Sequence, residues 1–255
     1  MTLYCETSGR GADVVLLHGW GLNSAVWQDT VRELAWDFRV TTMDLPGHGR
    51  SHAAPERCTL EQVAERVLQH APPQAHWIGW SLGGTVALHI TAHYPQRVRK
   101  LALVASTPKF VNAQDWPHGI EPEVLGQFAQ QLHGDYRKTI QRFLALQLRG
   151  SEQASVWLRR LRDMVFRYGE PQATALHAGL DILRNTDLRP RLTSVGHPIL
   201  LIAGARDTLA PVSAHEYMAV NLAQAELRVI PGAAHAPFLT HPQEFQRALR
   251  TFLHE

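Results

Sequence analysis

A serine hydroxyl is a poor nucleophile until a base takes its proton and the backbone holds it out into reach. One place in this chain has the residue types for both. Gly79-Trp80-Ser81-Leu82-Gly83 fits the pattern G-x-S-x-G. Alone the pattern is weak, since ordinary Gly and Ser usage produces it by accident in roughly one chain in twenty. Its setting is more specific. Residues 76–80 form an apolar run that reads as a strand, and Leu82-Gly83-Gly84-Thr85-Val86-Ala87-Leu88 opens a helical pattern directly after it. That is the strand-turn-helix in which a nucleophilic serine sits at a sharp bend. Strained backbone at such a bend leaves no room for side chains two positions to either side, which accounts for the glycines. The N-terminus of the following helix also favours negative charge developing nearby.

The base should be a histidine, oriented by an acid, in the chain order Ser, acid, His. Fifteen histidines make position the only guide. His235 lies in the small-residue loop Gly232-Ala233-Ala234-His235-Ala236-Pro237-Phe238, just past an apolar run ending at Ile230. His241, before Pro242, reads as a capping or surface residue. For the acid, Asp207 follows an apolar run in the loop Gly204-Ala205-Arg206-Asp207, and its rival is Asp187. The tetrahedral intermediate needs two N–H donors aimed at its oxyanion. Leu82, next after the serine, should supply one. Trp20, in His18-Gly19-Trp20-Gly21 after the run 14–17, should supply the other, and its indole could wall an acyl pocket. The alternative for Trp20 is a core aromatic.

The elements that must position these residues follow from the hydropathy pattern. Residues 13–17, 38–43, 75–80, 98–105, 198–203 and 226–230 are short runs rich in Val, Ile and Leu that end in Gly, Pro, Asp or Ser, and they read as strands. Helical patterns such as 25–35, 60–70, 82–94 and 244–253 lie between most of them. Such alternation predicts an α/β fold, a mostly parallel, doubly wound sheet with both faces covered and its active site at the strand C-termini. One stretch breaks the alternation. Between about residues 110 and 187 there is no convincing strand, while 123–132, 136–148, 152–168 and 172–184 carry helical spacing. Asp135 and Ser151 sit where N-caps belong, and Gly134, Gly150 and Gly169 where helices stop. The division expected is a core of residues 1–109 and 188–255 with an all-helical lid at 110–187.

Composition bounds the rest. With 255 residues, 45% hydrophobic and 19% charged, one main globular domain is expected. No run of about 18 apolar residues offers a membrane span. The N-terminus has neither a basic nor an apolar signal region, so a cytoplasmic protein is expected. Cys5 and Cys58 read as free thiols there. No His-Glu-x-x-His pattern points to a metal, and Gly47-His48-Gly49 lacks the third glycine of a dinucleotide fingerprint, so no cofactor is expected. The net charge of +2 is too small to suggest nucleic acid, but between Arg137 and Arg167 eight Lys or Arg residues face two acids. That basic segment is either an ordinary solvated face or a docking surface for an acidic partner.

Leu16-Leu17-His18-Gly19-Trp20-Gly21, Asp44-Leu45-Pro46-Gly47-His48-Gly49-Arg50-Ser51, the Ser81 motif and the Asp207 and His235 loops resemble the α/β-hydrolase fold across essentially the whole chain. More narrowly, Gly19-Trp20-Gly21-Leu22-Asn23, Trp80, Arg142-Phe143-Leu144-Ala145-Leu146-Gln147 and Ala233-Ala234-His235-Ala236-Pro237-Phe238 resemble the family of pimeloyl-[acyl-carrier protein] methyl ester esterases of biotin synthesis. The resemblance implies hydrolysis of a carrier-bound methyl ester to the carboxylate and methanol; a monomer is expected. It also implies substrate contacts at Trp20, Leu82, Phe143 and Gln147. Phe143 and Gln147 are four apart in one expected helix, hence on one face. An acyl carrier protein is acidic, so Lys138, Arg142, Arg159, Arg160 and Arg162, with Arg137, Arg149 and Arg167 in the same segment, become candidates for docking it. Two other functions stay open: a hydrolase of small esters, lactones or carbon-carbon bonds with the same residues, and a low-turnover ligand receptor on the same scaffold.

Overall fold

The computed structural model describes residues 2–51, 58–132, 135–148 and 154–255. Seven strands form one sheet: β1 (Cys5–Ser8), β2 (Ala12–Leu17), β3 (Phe38–Met43), β4 (Ala75–Trp80), β5 (Val98–Val104), β6 (Ile199–Gly204) and β7 (Ala225–Ile230). Their order is β1-β3-β2-β4-β5-β6-β7. Only β1 runs antiparallel to its neighbour. β4 and β6 are buried at every position, as apolar strands of a parallel sheet covered on both faces must be.

Strand order reverses at the centre: the chain steps from β2 out to β3, then back across β2 to β4. Right-handed crossovers then send α1 (Gln28–Leu34) to one face, where it packs with α10 (Pro242–His254). They send α2 (Leu60–His70), α3 (Leu82–His93) and α8 (Val212–Asn221) to the other. Loops leaving the C-terminal ends of β2 and β4 diverge at such a reversal and open a crevice. Pairing of Leu17 with Gly79 aligns the two strand ends, so the loop 18–21 faces Ser81 across that crevice.

Between β5 and β6 lie α4 (Pro122–Leu132), α5 (Tyr136–Gln147), α6 (Ala154–Phe166) and α7 (Ala173–Asn185). Among the described residues of this stretch the only extended pairings are isolated bridges, Val111 with Ile120 and Ala113 with Trp116. Asp135 caps α5 by accepting the N–H of Lys138 at 3.0 Å. Gly169 has φ +91°, the left-handed backbone that follows a finished helix. The cap expected at Ser151, the stops expected at Gly134 and Gly150, and the first two residues of the helix expected at 152–168 lie outside the described residues. The end of α6 and the start of α7 are tied to the sheet side. Asn23 Nδ2 donates to the carbonyls of Met164 and Val165 at 3.0 and 3.1 Å, and Gln172 N donates to Gly47 O at 2.9 Å. The Arg50 guanidinium lies between the rings of Tyr4 and Tyr168, 3.5 and 3.8 Å from their centroids.

Two local differences from the expected elements have physical causes. The single helix expected over 25–35 is a 3-10 turn, Ser24–Trp27, running into α1, because the Asn23 side chain accepts the N–H of Ala25 and tightens the first turn over the buried Trp27. The strand β1, Cys-Glu-Thr-Ser, has no apolar run to announce it and owes its shape to pairing along the edge of β3. Cys5 and Cys58 are free thiols. Among the described residues no helix is long and apolar enough to cross a membrane.

Candidate active site

Ser81 sits between β4 and α3 with φ +53° and ψ −120°, left-handed backbone that costs a non-glycine residue on the order of 1–3 kcal/mol. Its surroundings hold it there. Ser81 N donates to Val104 O at 3.0 Å, while Ser81 O accepts from Ser106 Oγ at 2.9 Å and from the N–H groups of Gly84 and Thr85 at 2.9 and 3.0 Å. The flanking glycines are required by contact. A Cβ on Gly79 would lie 2.4 Å from Gly83 O, and one on Gly83 would lie 2.5 Å from His18 O.

Asp207 and His235 follow β6 and β7, and the structure brings them together in a buried pair. Asp207 Oδ1 accepts the N–H groups of Leu209 and Ala210 at 2.8 and 3.0 Å, which leaves Oδ2 for His235 Nδ1 at 2.8 Å. A carboxylate can only accept, so Nδ1 carries the proton and Nε2 presents its lone pair. Nε2 is buried and has no hydrogen-bond partner, Ser81 Oγ included. Catalytic hydrogen bonds are often long before substrate binds, so the unclaimed lone pair is what a waiting base presents. The His235 peptide is held on both sides, its N–H donating to Gln147 O at 3.0 Å and its carbonyl accepting from Trp80 Nε1 at 2.7 Å.

The rival acid, Asp187, is engaged elsewhere. Its carboxylate accepts from Arg189 at 2.6 Å and from Lys109 at 3.2 Å. Those contacts, the Arg189 hydrogen bonds first, pull its pKa down to about 2. His241 stands at the N-cap position of α10 with Nδ1 against Thr240 Oγ1 at 2.9 Å.

Leu82 is the first residue of α3, so its N–H has no carbonyl within the helix to bond. The loop carrying Trp20 is fixed by two histidines that the sequence reading did not single out. His18 Nε2 accepts the N–H of Leu45 at 2.9 Å, leaving Nδ1–H to donate to Gly19 O at 2.8 Å. His48 Nε2 accepts the N–H of Gly21 at 3.4 Å, leaving Nδ1–H for Pro46 O at 3.0 Å. Trp20 is therefore bracketed by bonds that require both imidazoles to be neutral. Burial pushes both pKa values down, that of His48 to about 3. Burial would raise the carboxyl of Asp44, but His18 and hydrogen bonds from Ser24 and Arg50 hold it below its ordinary value. The signal was in the segment 44–51: Asp44 Oδ1 accepts the N–H of Ser24, His48 Nε2 accepts that of Gly21, and the Arg50 guanidinium donates to Ser24 Oγ.

Trp20 is a buried aromatic whose backbone also lies near the nucleophile. Its ring is wholly buried, edge-on to Phe143 at 4.8 Å, and its Nε1 donates to Leu176 O in α7 at 2.8 Å. The same residue's backbone lies in the loop facing the serine, where a Cβ on the adjacent Gly19 would stand 3.3 Å from Ser81 Cβ. Phe143 and Gln147 are both buried at the site, and Gln147 Oε1 has no hydrogen-bond partner. Beside Leu82 is an apolar hollow of only about 20 Å³, walled by Leu45, Val63, Ala175, Gly179 and Ile182. Of the basic candidates, Arg160 is paired with Asp29 on α1. Arg137 pairs likewise with Glu170. Arg142 donates to Gln131 Oε1 at 3.0 Å, and Arg162 lies 3.9 Å from Asp163. Among the described residues the side chains of Lys138 and Arg159 meet no acid.

A parallel sheet in this order, with a left-handed serine at the bend between its central strand and a helix, is the architecture of the α/β hydrolases. The chain belongs to the alpha/beta hydrolase fold family, whose model matches residues 14–242, and within it to the family of pimeloyl-[acyl-carrier protein] methyl ester esterases. It is 43% identical over 253 residues to the esterase of that name from Vibrio vulnificus (strain CMCP6), covering 98% of this chain and 97% of the other. With that of Pectobacterium carotovorum subsp. carotovorum (strain PC1) it shares 45% over 252 residues, 98% of each chain. Among solved structures, a bromoperoxidase from Bacillus anthracis superimposes with a TM-score of 0.91 at 22% identity, covering 99% of this chain and 95% of the other, a likeness of fold alone.

Proposed function

We propose that this chain is a serine carboxylesterase that hydrolyses the methyl ester of pimeloyl-[acyl-carrier protein], releasing methanol and the free carboxylate in the cytoplasmic synthesis of biotin. The observation that carries the chemistry is the buried Asp207–His235 bond of 2.8 Å, with the opposite ring nitrogen unclaimed. His235 Nε2 takes the Ser81 proton as Oγ attacks the ester carbon. Asp207 keeps the proton on Nδ1 and stabilises the imidazolium. The N–H groups of Leu82 and Trp20 receive the oxyanion. As the tetrahedral intermediate collapses, His235 returns the proton to the departing methoxide and methanol leaves. A water molecule, deprotonated by the same nitrogen, then attacks the acyl carbon, and His235 returns that proton to Ser81 Oγ as the carboxylate leaves.

The names of the two relatives supply the substrate. The four helices between β5 and β6 act as a lid, with Phe143 as its apolar wall and Gln147 as a buried polar contact. The basic residues of α5 and α6 support a carrier as the bearer of the ester. Lys138, Arg142, Arg159 and Arg162 form its docking face, whereas Arg160 serves the contact between α6 and α1. The protein works as a monomer. The test is methanol release from pimeloyl-acyl-carrier-protein methyl ester beside carrier-free dimethyl pimelate. The expected result is a kcat/KM at least tenfold higher on the carrier-bound ester and none in Ser81→Ala. Equal values on both substrates would remove the carrier from the proposal.

A further inference from the structure

Nucleophile and base come from opposite ends of half a sheet. Ser81 follows β4 and His235 follows β7, with β5 and β6 between them, a span of about 14 Å at roughly 4.8 Å per strand. β4 and β7 do not pair directly, so the loops that leave them are registered to each other only through the two strands between. Asp207 holds the imidazole through one hydrogen bond at Nδ1, and a ring held at one atom still swings about it. What aims Nε2 is therefore the position of peptide 235. The side chains of Ala233, Ala234 and Ala236 offer it no hold; the loop backbone is tied on either side, Ala233 O accepting from Arg206 N at 2.8 Å and Ala236 O from Leu239 N at 3.1 Å, and the 235 N–H donates to Gln147 O.

The His235 carbonyl is held by the indole N–H of Trp80 at 2.7 Å. Trp80 is the residue immediately before Ser81, wholly buried, with its ring edge-on to Phe238 at 4.9 Å and 5.8 Å from the His235 ring. We propose that Trp80 is a positioning residue, whose indole is a strut of fixed length between the turn that carries the nucleophile and the peptide that carries the base. The inference rests on the Ser81–His235 reading of the reaction. Without the N–H a buried carbonyl loses its donor, and the loop must shift to find another. A displacement of about 1 Å between reacting groups costs on the order of 100-fold in rate.

The decisive variant replaces Trp80 by its benzothiophene isostere, which keeps the shape of the ring and lacks the N–H. With p-nitrophenyl acetate, kcat should fall about 10–100-fold while KM stays within twofold. The rate of inactivation by a fluorophosphonate should fall in parallel. Trp80→Phe should show the same split with a larger loss of thermal stability. Phe238→Leu, which loosens the packing but spares the N–H, should lower the melting temperature and keep kcat within threefold. An isostere protein with kcat within twofold of the parent overturns the assignment of Trp80. Turnover surviving in Ser81→Ala would instead overturn the serine mechanism on which it rests.

Discussion

The Nε2 atom of His48 accepts the backbone N–H of Gly21, and it can do so only while the imidazole is neutral. Folding holds His48 neutral down to about pH 3, because burial opposes its charge, whereas the unfolded chain protonates it near 6.5. The unfolded state then binds the extra proton between those limits, so stability is full above about pH 6.5 and is lost as pH falls. One such group contributes up to about 1.4 kcal/mol per pH unit. Urea unfolding at pH 7.5 and 5.0 should show the loss. In His48→Gln, which keeps an acceptor for Gly21, the loss should shrink by about 1–2 kcal/mol; an unchanged slope would place the pH dependence elsewhere.

The two aspartates should separate cleanly. Asp207→Asn keeps the shape but lets the amide favour the wrong tautomer of His235, and kcat should fall by roughly 1,000–10,000-fold. Asp187→Asn leaves the His235 ring untouched and removes the charge from the part-buried contact with Arg189 and Lys109. It should keep kcat/KM within threefold and cost about 1 kcal/mol of stability. Steady-state kinetics on a soluble ester, with chemical unfolding, reads both.

Gly179 lets α7 lie flat against the indole of Trp20. A Cβ there would stand 2.6 Å from Trp20 Cδ1 and 3.3 Å from Leu82 Cδ2. Gly179→Ala should therefore disturb both proposed oxyanion donors at once, lowering kcat by about 10–100-fold and stability by about 1–3 kcal/mol despite the gain in helix propensity. The comparison that decides it is Gly126→Ala, since Gly126 in α4 has open space around its Cα and should gain stability with kcat unchanged.

Reversing Lys138, Arg142 and Arg159 to Glu should raise KM for the carrier-bound ester at least tenfold and leave a small soluble ester unaffected. The difference should narrow as salt rises, because attraction between exposed charges is screened. Arg160→Glu should show the opposite pattern: loss of stability through Asp29, with the KM ratio between the two esters unchanged.

The sequence announced those parts whose chemistry is local. The strands around Ser81 were legible because a buried parallel strand must be apolar at every position, and the serine turn because its glycines stand at contacts no side chain survives. Asp207 and His235 were legible through their place after such strands. What stayed hidden depends on distant neighbours. β1 takes its form from β3, and His18 and His48 acquire a purpose only when the loops after β2 and β3 meet. Arg160 looked like its basic neighbours until α1 put Asp29 beside it. Trp80 occupied a variable position of its motif, and nothing local indicates that its nitrogen reaches 155 residues along the chain.

The hollow beside Leu82 has room for about one water molecule. If the acyl group of the proposed substrate is to lie there, α7 and its neighbours must shift, so that the form described would be shut over this hollow. A hollow so shut selects by leverage as well as by shape. Under the proposed function, a free ester would wait for a spontaneous opening, whereas a cargo on a carrier docked at α5 and α6 would bring binding energy to open it. For an enzyme surrounded by other metabolic esters, that would make indifference to passers-by a property of the resting state.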